Sequence, residues 1–220
     1  NKFSRKEQYF IFNDFIAWLH TKDNKFGTLS AREEFEIFKK MLEYNAYSPS
    51  EKEFMSVLLY RNIMNMAISL EEYEWFEKFI IEFTSKLKPE FRDNMENLAM
   101  ANLYFAKEKF EDALGCLSKI PYDIFIYKID IKNLMLRIYY ELELYETAFS
   151  MINAFRNFLS TTDEISEIFK TQQLNFVNFY NKLLKMKADY KFDDAGFISK
   201  EIEKKDSVAS KAWLIEKAAE

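Results

Sequence analysis

Apolar residues recur at intervals of three and four along most of the chain, which is the spacing that places them on one face of an α-helix. Phe35, Phe38 and Met41 show this spacing, and the alternation typical of β-strands is not sustained anywhere in the sequence. We therefore expect an all-α protein. The pattern predicts helices over residues 4–20, 30–45, 51–68, 70–87, 90–106, 109–119, 124–142, 144–159, 162–188, 193–205 and 207–218.

Two local signals mark the ends of these helices. Pro49, Pro89 and Pro121 each fall where the apolar pattern stops, and the residue before a proline is biased away from the helical conformation. A Ser or Thr followed by Glu three residues later satisfies the free amides of a first helical turn. Such pairs are Ser4 with Glu7, Ser30 with Glu33, Ser50 with Glu53, Ser69 with Glu72 and Thr161 with Glu164.

Short linkers separate the predicted helices into pairs, for example around Lys107 and Glu108 and between Glu141 and Leu144. Linkers of this length force two consecutive helices to pack antiparallel. The sequence therefore predicts about five helical hairpins and one terminal helix, within a single domain that covers residues 1–220.

An internal repeat with an offset of 35 residues is the most specific feature of the sequence. Its second helix carries Ala113 in one copy and Ala148 in the other, and a small residue there lets two helix backbones approach closely. A less regular copy lies 37 residues upstream and has Phe76 in place of the alanine. The matched positions are Met100, Ala101, Tyr104, Phe110, Ala113, Leu117 and Ile120, and then Met135, Leu136, Tyr139, Tyr145, Ala148, Ile152 and Phe155.

This repeat resembles a divergent tetratricopeptide (TPR) repeat, most clearly over about residues 57–160. The resemblance implies a right-handed solenoid of antiparallel hairpins, because a lone hairpin cannot bury both of its faces and neighbours must stack. Residues 206–220 are expected to form a capping helix that closes the last apolar surface with a polar outer face. A segment that docks elsewhere is the alternative for these residues.

Composition and charge narrow the range of functions. Only three Gly and three Pro occur in 220 residues, too few for the turns of many short strands or a phosphate-binding loop. The formal net charge is −5, whereas non-specific nucleic-acid binders depend on concentrated positive charge. Lys182, Lys185, Lys187 and Lys191 form a local exception, but acidic residues follow closely, which predicts a solvated helix end.

No apolar run reaches the roughly 18 residues of a membrane span, so we expect no membrane insertion.

The sequence offers little catalytic chemistry. His20 is the only histidine and Cys116 the only cysteine, which excludes a thiolate zinc site and leaves His20 as the one candidate base for a nucleophile. We expect His20 to interact with a helix C-terminus and Cys116 to be a small buried residue. Nucleotide-binding glycine motifs and H-E-x-x-H are missing from the sequence. The sequence therefore predicts no catalytic residues, no metal and no cofactor.

The resemblance also implies where a partner would bind, since the first helix of each TPR pair lines a concave surface. Arg61 and Asn65 lie one turn apart, as do Asn133 and Arg137, so that donors could converge on a peptide backbone or carboxylate. The predicted partner-binding residues are Arg61, Asn65, Asn102, Phe105, Asn133, Arg137 and Tyr140, in a stripe that also contains Leu58, Ile68, Met95, Leu98 and Asp130.

Arg61 and Asn65 further resemble part of the carboxylate clamp of chaperone-binding TPR domains, but Ala99 stands where the clamp has a second asparagine. We therefore predict a protein-binding or peptide-binding scaffold that is not an enzyme. A structural spacer or self-association module of a longer chain is the alternative, suggested by Asn1 in place of Met and by the apolar residues Met95, Leu98 and Phe105. A helical enzyme with a carboxylate-only site is the third choice. The compartment stays open, with a slight preference for the cytoplasm.

Overall fold

The computed structural model describes residues 2–26, 31–121, 125–163, 165–189 and 195–220. These residues form helices and no strands, which confirms the all-α fold. The helices are α1 (Arg5–Phe26), α2 (Ala31–Glu43), α3 (Val57–Ser69), α4 (Tyr73–Phe83), α5 (Pro89–Ala106), α6 (Phe110–Leu117), α7 (Phe125–Glu141), α8 (Tyr145–Thr161), α9 (Glu167–Ala188), α10 (Ala195–Lys204) and α11 (Lys211–Ala219), with a short 3-10 turn at Thr84–Lys86.

The chain forms two compact units, Asn1–Tyr122 and Asp123–Glu220. In the first unit α1 packs on α2, α2 on α3 and α3 on α4, while α5 contacts α3, α4 and α6. In the second unit α7 packs on α8 and α8 on α9, and α10 and α11 pack on α9 and on each other. Sequential helices are therefore neighbours within each unit, as short connections require.

The same turn joins three pairs of helices. Glu71, Glu108 and Glu143 each adopt a left-handed backbone conformation, with φ of 58°, 57° and 56°, two residues after the last residue of α3, α5 and α7. In each turn the next backbone amide donates to the carbonyl five positions earlier, as in the 2.9 Å bond from Lys109 N to Tyr104 O. This bond is typical of a Schellman helix end. The spacings of 37 and 35 residues between the three glutamates equal the two repeat offsets in the sequence.

The small residues of the repeat lie in the interior. Ala113 and Ala148 are both fully buried, each in the second helix of its pair. Phe76, the large residue at the same position of the upstream copy, is also fully buried, and its ring centroid lies 6.1 Å from that of Phe79. The tyrosines of the first helices differ, because Tyr139 is buried whereas Tyr104 is half-buried.

Helix starts follow the predicted capping pairs only in part. Ser4 and Glu7 form the expected pair, since Ser4 N donates to Glu7 Oε2 over 2.7 Å. Ser50 instead lies in a turn ahead of α3. That helix begins six residues later than predicted, where the side chain of Ser56 accepts a hydrogen bond from the amide of Leu59. The Ser30 and Glu164 predictions fall outside the described residues.

The prediction that His20 lies at a helix end is wrong, because α1 is longer than predicted. The helix continues to Phe26, so His20 lies within it rather than at its C-terminus. Its Nε2 atom lies 3.0 Å from Oε1 of Glu34, a buried residue on α2. His20 therefore provides a polar partner for a buried carboxylate between two packed helices.

Candidate functional site

Part of the predicted partner-binding stripe forms a surface on the first unit. Arg61 and Asn65 lie one turn apart on α3, Arg61 half-buried and Asn65 exposed. Leu58 precedes them by a turn and is 55% exposed. Asn102 on α5 approaches the same part of α3, because its Nδ2 atom lies 3.9 Å from Sδ of Met64. We call Leu58, Arg61, Asn65 and Asn102 the α3–α5 surface.

One polar group of this surface is held by its own helix. Asn102 Nδ2 donates to the carbonyl of Leu98 over 2.9 Å, which fixes the amide on α5. Phe105 lies one turn beyond Asn102 and is half-buried, with its ring centroid 5.5 Å from that of Phe110. Amides, a guanidinium and apolar side chains are therefore combined on adjacent helices.

Two apolar members of the predicted stripe are not exposed. Met95 and Leu98 of α5 are fully buried. The physical reason is that α5 packs against α3, α4 and α6, so only a narrow strip of its circumference meets solvent. Met95 and Leu98 therefore belong to the core of the first unit, and the prediction that they lie in an exposed stripe is wrong.

The stripe predicted on α7 is also largely interior, which corrects the expectation for Asn133 and Tyr140. Asn133 is 7% exposed and Tyr140 is 2% exposed. Asn133 Nδ2 donates to Gln173 Oε1 on α9 over 3.4 Å, and Ser210 Oγ donates to Asn133 Oδ1 over 2.8 Å. Helix α9 and the start of α11 thus cover the polar side of α7.

Tyr140 belongs to an aromatic cluster of the second unit. Its ring centroid lies 5.3 Å from that of Trp213 and 6.1 Å from that of Tyr180, both in edge-on geometry. Lys187 Nζ lies 4.6 Å from the centroid of the Tyr140 ring. Burial raises the pKa of Tyr140 to about 12, so its hydroxyl is neutral at physiological pH.

Arg137 lies between these two residues along α7 and is half-buried. Burial lowers the pKa of its guanidinium to about 10, while Asp130 and Glu141 favour the charged form. A pKa of this size keeps Arg137 cationic at neutral pH. Asn133 and Tyr140 therefore help to pack the second unit, and Leu58 and Asn65 of the α3–α5 surface are the exposed members of the predicted stripe.

The second unit contains a polar cleft that the sequence analysis did not predict. Four cationic side chains line it, namely Arg156 of α8, Lys182 of α9, Lys204 of α10 and the adjoining Lys205, together with Glu201 of α10. Its volume is about 630 Å³. Lys182, which was predicted to lie at a solvated helix end, is exposed, and it lines the cleft together with three cations from other parts of the sequence.

Side-chain amides form the second component of this cleft. Asn175, Asn178 and Asn181 of α9 line it together with Phe179. We call this site, with the cations above, the α9–α10 cleft. Three asparagines at intervals of three residues in α9, followed by Lys182 and Lys185, are the one sequence signal that could have indicated it.

The remaining chemistry predicted from the sequence is limited. Cys116 is half-buried rather than buried, and burial raises the pKa of its thiol, which disfavours the reactive thiolate. Among the described residues, no three His, Cys, Asp or Glu side chains come together in a group that could hold a metal ion.

None of the helices, as far as they are described, combines the length and apolarity needed to cross a membrane.

Comparison of this chain with protein-family models, curated proteins and solved structures finds no match. Its function must therefore be argued from the geometry of its own surfaces.

Proposed function

We propose that this chain is a non-enzymatic scaffold that binds a protein or peptide, and that its hairpins stack as a right-handed, TPR-like solenoid. The identical left-handed turns at Glu71, Glu108 and Glu143 support repeated hairpins. The packing of α5 on both α3 and α4 is the contact expected when one hairpin stacks on the one before it.

The α3–α5 surface is the observation that carries the proposal. Arg61 supplies a planar donor for a carboxylate, and the amides of Asn65 and Asn102 can bond to a peptide backbone. Leu58 offers an apolar contact beside them and is 55% exposed. This mixture of anchored polar groups and exposed apolar area is typical of peptide-recognition surfaces.

The test is a peptide selection followed by titration. Peptides selected from a random library on the full chain are titrated against wild type and against the double variant Arg61→Ala with Asn65→Ala. We expect at least about tenfold weaker binding by the double variant, since it removes both polar anchors.

Arg32→Ala is the matched control, because Arg32 is an exposed arginine of the same unit, paired with Glu72 and outside the α3–α5 surface. It should change the affinity less than about twofold. A selection that yields no binder contradicts the proposal. Equal affinities for the double variant and wild type, with unchanged circular dichroism, would also reject it.

Self-association is the second candidate, and the exposed side chains of α1 favour it. Phe10, Phe15 and Trp18 are 51%, 53% and 57% exposed and share one broad face of the helix. Contiguous exposed apolar side chains of this size mark contact surfaces between proteins.

Light scattering over a concentration series tests this second candidate. Phe15→Ser with Trp18→Ser should shift an oligomer to the monomer, whereas Ile81→Ser, at an exposed apolar residue of α4, should not. A monomer at every concentration argues against self-association.

A further inference from the structure

The α9–α10 cleft has a charge opposite to that of the chain. The whole sequence carries a net charge of −5. Among the residues that the structure describes, the cleft is lined by four cations, Arg156, Lys182, Lys204 and Lys205, and by one carboxylate, that of Glu201. A concave site lined by one sign of charge concentrates ligands of the opposite sign.

Hydrogen bonds within the cleft fix the positions of two of these cationic side chains. Arg156 Nη2 donates to Asn178 Oδ1 over 3.0 Å, which holds the guanidinium of α8 against α9. Lys182 Nζ donates to Glu201 Oε2 over 2.6 Å and lies 5.5 Å from the centroid of the Phe179 ring. Arg156 and Lys182 are therefore positioned before any ligand binds.

The cleft continues into a hollow at the end of α9 that combines apolar and charged side chains. This neighbouring depression of about 440 Å³ shares Lys182 and Glu201 with the cleft and is also lined by Lys185, Asp189, Met186, Phe197 and Ile198. Phe197 is exposed there. The combined groove therefore presents cations and amides along α9, and Met186, Phe197 and Ile198 supply apolar contacts at its far end.

We propose that this groove binds an acidic peptide segment in an extended conformation, with an apolar residue in the hollow beside Phe197. The inference rests on the proposed scaffold function and assigns it a second surface with a defined partner chemistry. From Asn175 to Met186 the groove follows α9 for about 16 Å, which matches about five residues of an extended chain.

The residue types favour a peptide over other anions. Asn175, Asn178 and Asn181 each carry a donor and an acceptor, the two groups that an extended backbone presents. Asn175 Nδ2 already bonds a backbone oxygen, that of Ser207, over 2.7 Å. Among the described residues, Phe179 is the one aromatic ring of the cleft and Phe197 lies in the adjoining hollow, whereas single-stranded nucleic acid is bound by successive stacking platforms.

Glu201 acts as an internal competitor of the ligand. Its carboxylate holds Lys182 in the position that a peptide carboxylate would take. The pair is partly exposed, so exchange of one carboxylate for another requires no buried charge to be uncovered. Removing the charge of Glu201 should therefore strengthen binding.

The experiment is a fluorescence anisotropy titration with the full chain. The probe is a fluorescein-labelled decapeptide of alternating Glu and Leu, compared with the same peptide carrying Gln for Glu and with a deoxythymidine decamer. We expect the Glu peptide to bind best. Lys204→Glu with Lys205→Glu should weaken it at least about tenfold, and Glu201→Gln should strengthen it about two- to threefold.

Lys200→Glu is the matched control, since Lys200 is an exposed lysine of α10 that does not line the groove. It should change the affinity less than about twofold. Equal losses for the control and the Lys204 variant, tighter binding of the oligonucleotide, or no gain with Glu201→Gln would each overturn the inference. These outcomes are separate from those of the scaffold proposal, because the Arg61 variants test a surface in the other unit.

Discussion

Glu108 and Glu143 adopt the same left-handed backbone conformation at the same point of two helical hairpins, with φ of 57° and 56°. Each lies two residues after the last residue of the first helix of its pair, and the backbone amide of the next residue donates to the carbonyl five positions earlier over 2.9 Å. Glycine is the residue that normally occupies such a position, because a side chain there crowds the backbone. Both glutamates therefore reduce the stability of the turns that they form.

Replacement of these residues by glycine should stabilise the protein. Glu108→Gly and Glu143→Gly should each raise the free energy of unfolding by about 0.5–1 kcal/mol, because relief of the left-handed strain exceeds the added entropy of the unfolded chain. Urea denaturation measures the change. Glu111→Gly in the first turn of α6 is the control and should lower stability by a similar amount. Destabilisation by all three changes would contradict the argument.

The two repeat tyrosines should respond differently to truncation. Tyr139 is 6% exposed, so Tyr139→Ala should cost about 3–5 kcal/mol through the cavity that it leaves. Tyr104 is half-buried, and Tyr104→Ala should cost about 1–2 kcal/mol. Lys109→Ala, at an exposed residue, should change stability by less than about 0.5 kcal/mol. Equal losses for the two tyrosines would show that burial does not distinguish them.

Trp213 should be the residue that holds α11 in place. It is buried, stacks on Tyr180 and donates from Nε1 to Glu141 Oε1 over 3.0 Å. Trp213→Ala should cost about 3–5 kcal/mol and speed hydrogen exchange of the α11 amides. Trp18→Ala removes the same type of side chain from an exposed site and should cost less than about 1 kcal/mol at low protein concentration. Unchanged exchange in α11 would refute the role of Trp213.

Buried tyrosines should make the protein sensitive to alkali. Burial raises the pKa of Tyr140 from 10.0 to about 12, so the unfolded chain loses this proton at lower pH than the folded chain. The neutral ring therefore contributes its full stability below pH 10, and that contribution is lost as pH rises from 10 to 12. Burial also raises the pKa of Tyr60 and Tyr180.

Circular dichroism during alkaline titration, combined with absorbance of tyrosinate, measures this effect. Tyr140→Phe should make stability fall less steeply between pH 10 and 12, because Phe has no proton to lose. Tyr44→Phe, at an exposed tyrosine, is the control and should leave the slope unchanged. An identical slope for Tyr140→Phe and wild type would contradict the assigned burial effect.

The sequence predicted a helix boundary accurately where a single local signal marks that boundary. Helix α5 was predicted over residues 90–106 and begins at Pro89, because proline fits the first helical position and cannot continue a preceding helix. The start of α9 was predicted too early, at residue 162, whereas the helix begins at Glu167. Thr161 lies at the end of α8, and Ser166 caps α9 by accepting from the amide of Phe169. Several hydroxyl residues near one boundary compete for the cap, and the sequence alone does not rank them.

The candidate site was predicted less well than the fold. Asn65 is exposed and Arg61 is half-buried, whereas Asn133 and Tyr140, expected in the same stripe, are buried. Helical periodicity identifies the apolar face of α7, but it does not show that α9 and α11 pack on its polar side as well. Polar residues become interior when their hydrogen bonds are satisfied, as those of Asn133 are by Gln173 and Ser210.

By itself the sequence determined the helices, the hairpin turns and the repeat spacing, because these depend on contacts between residues a few positions apart. Only the tertiary structure decided which faces stay exposed and which charges meet. Arg156, Lys182 and Lys204 lie far apart in sequence, and they line one cleft because α8, α9 and α10 pack together in the second unit. Such packing brings together side chains that are distant in the sequence, and no local sequence pattern predicts which of them will meet.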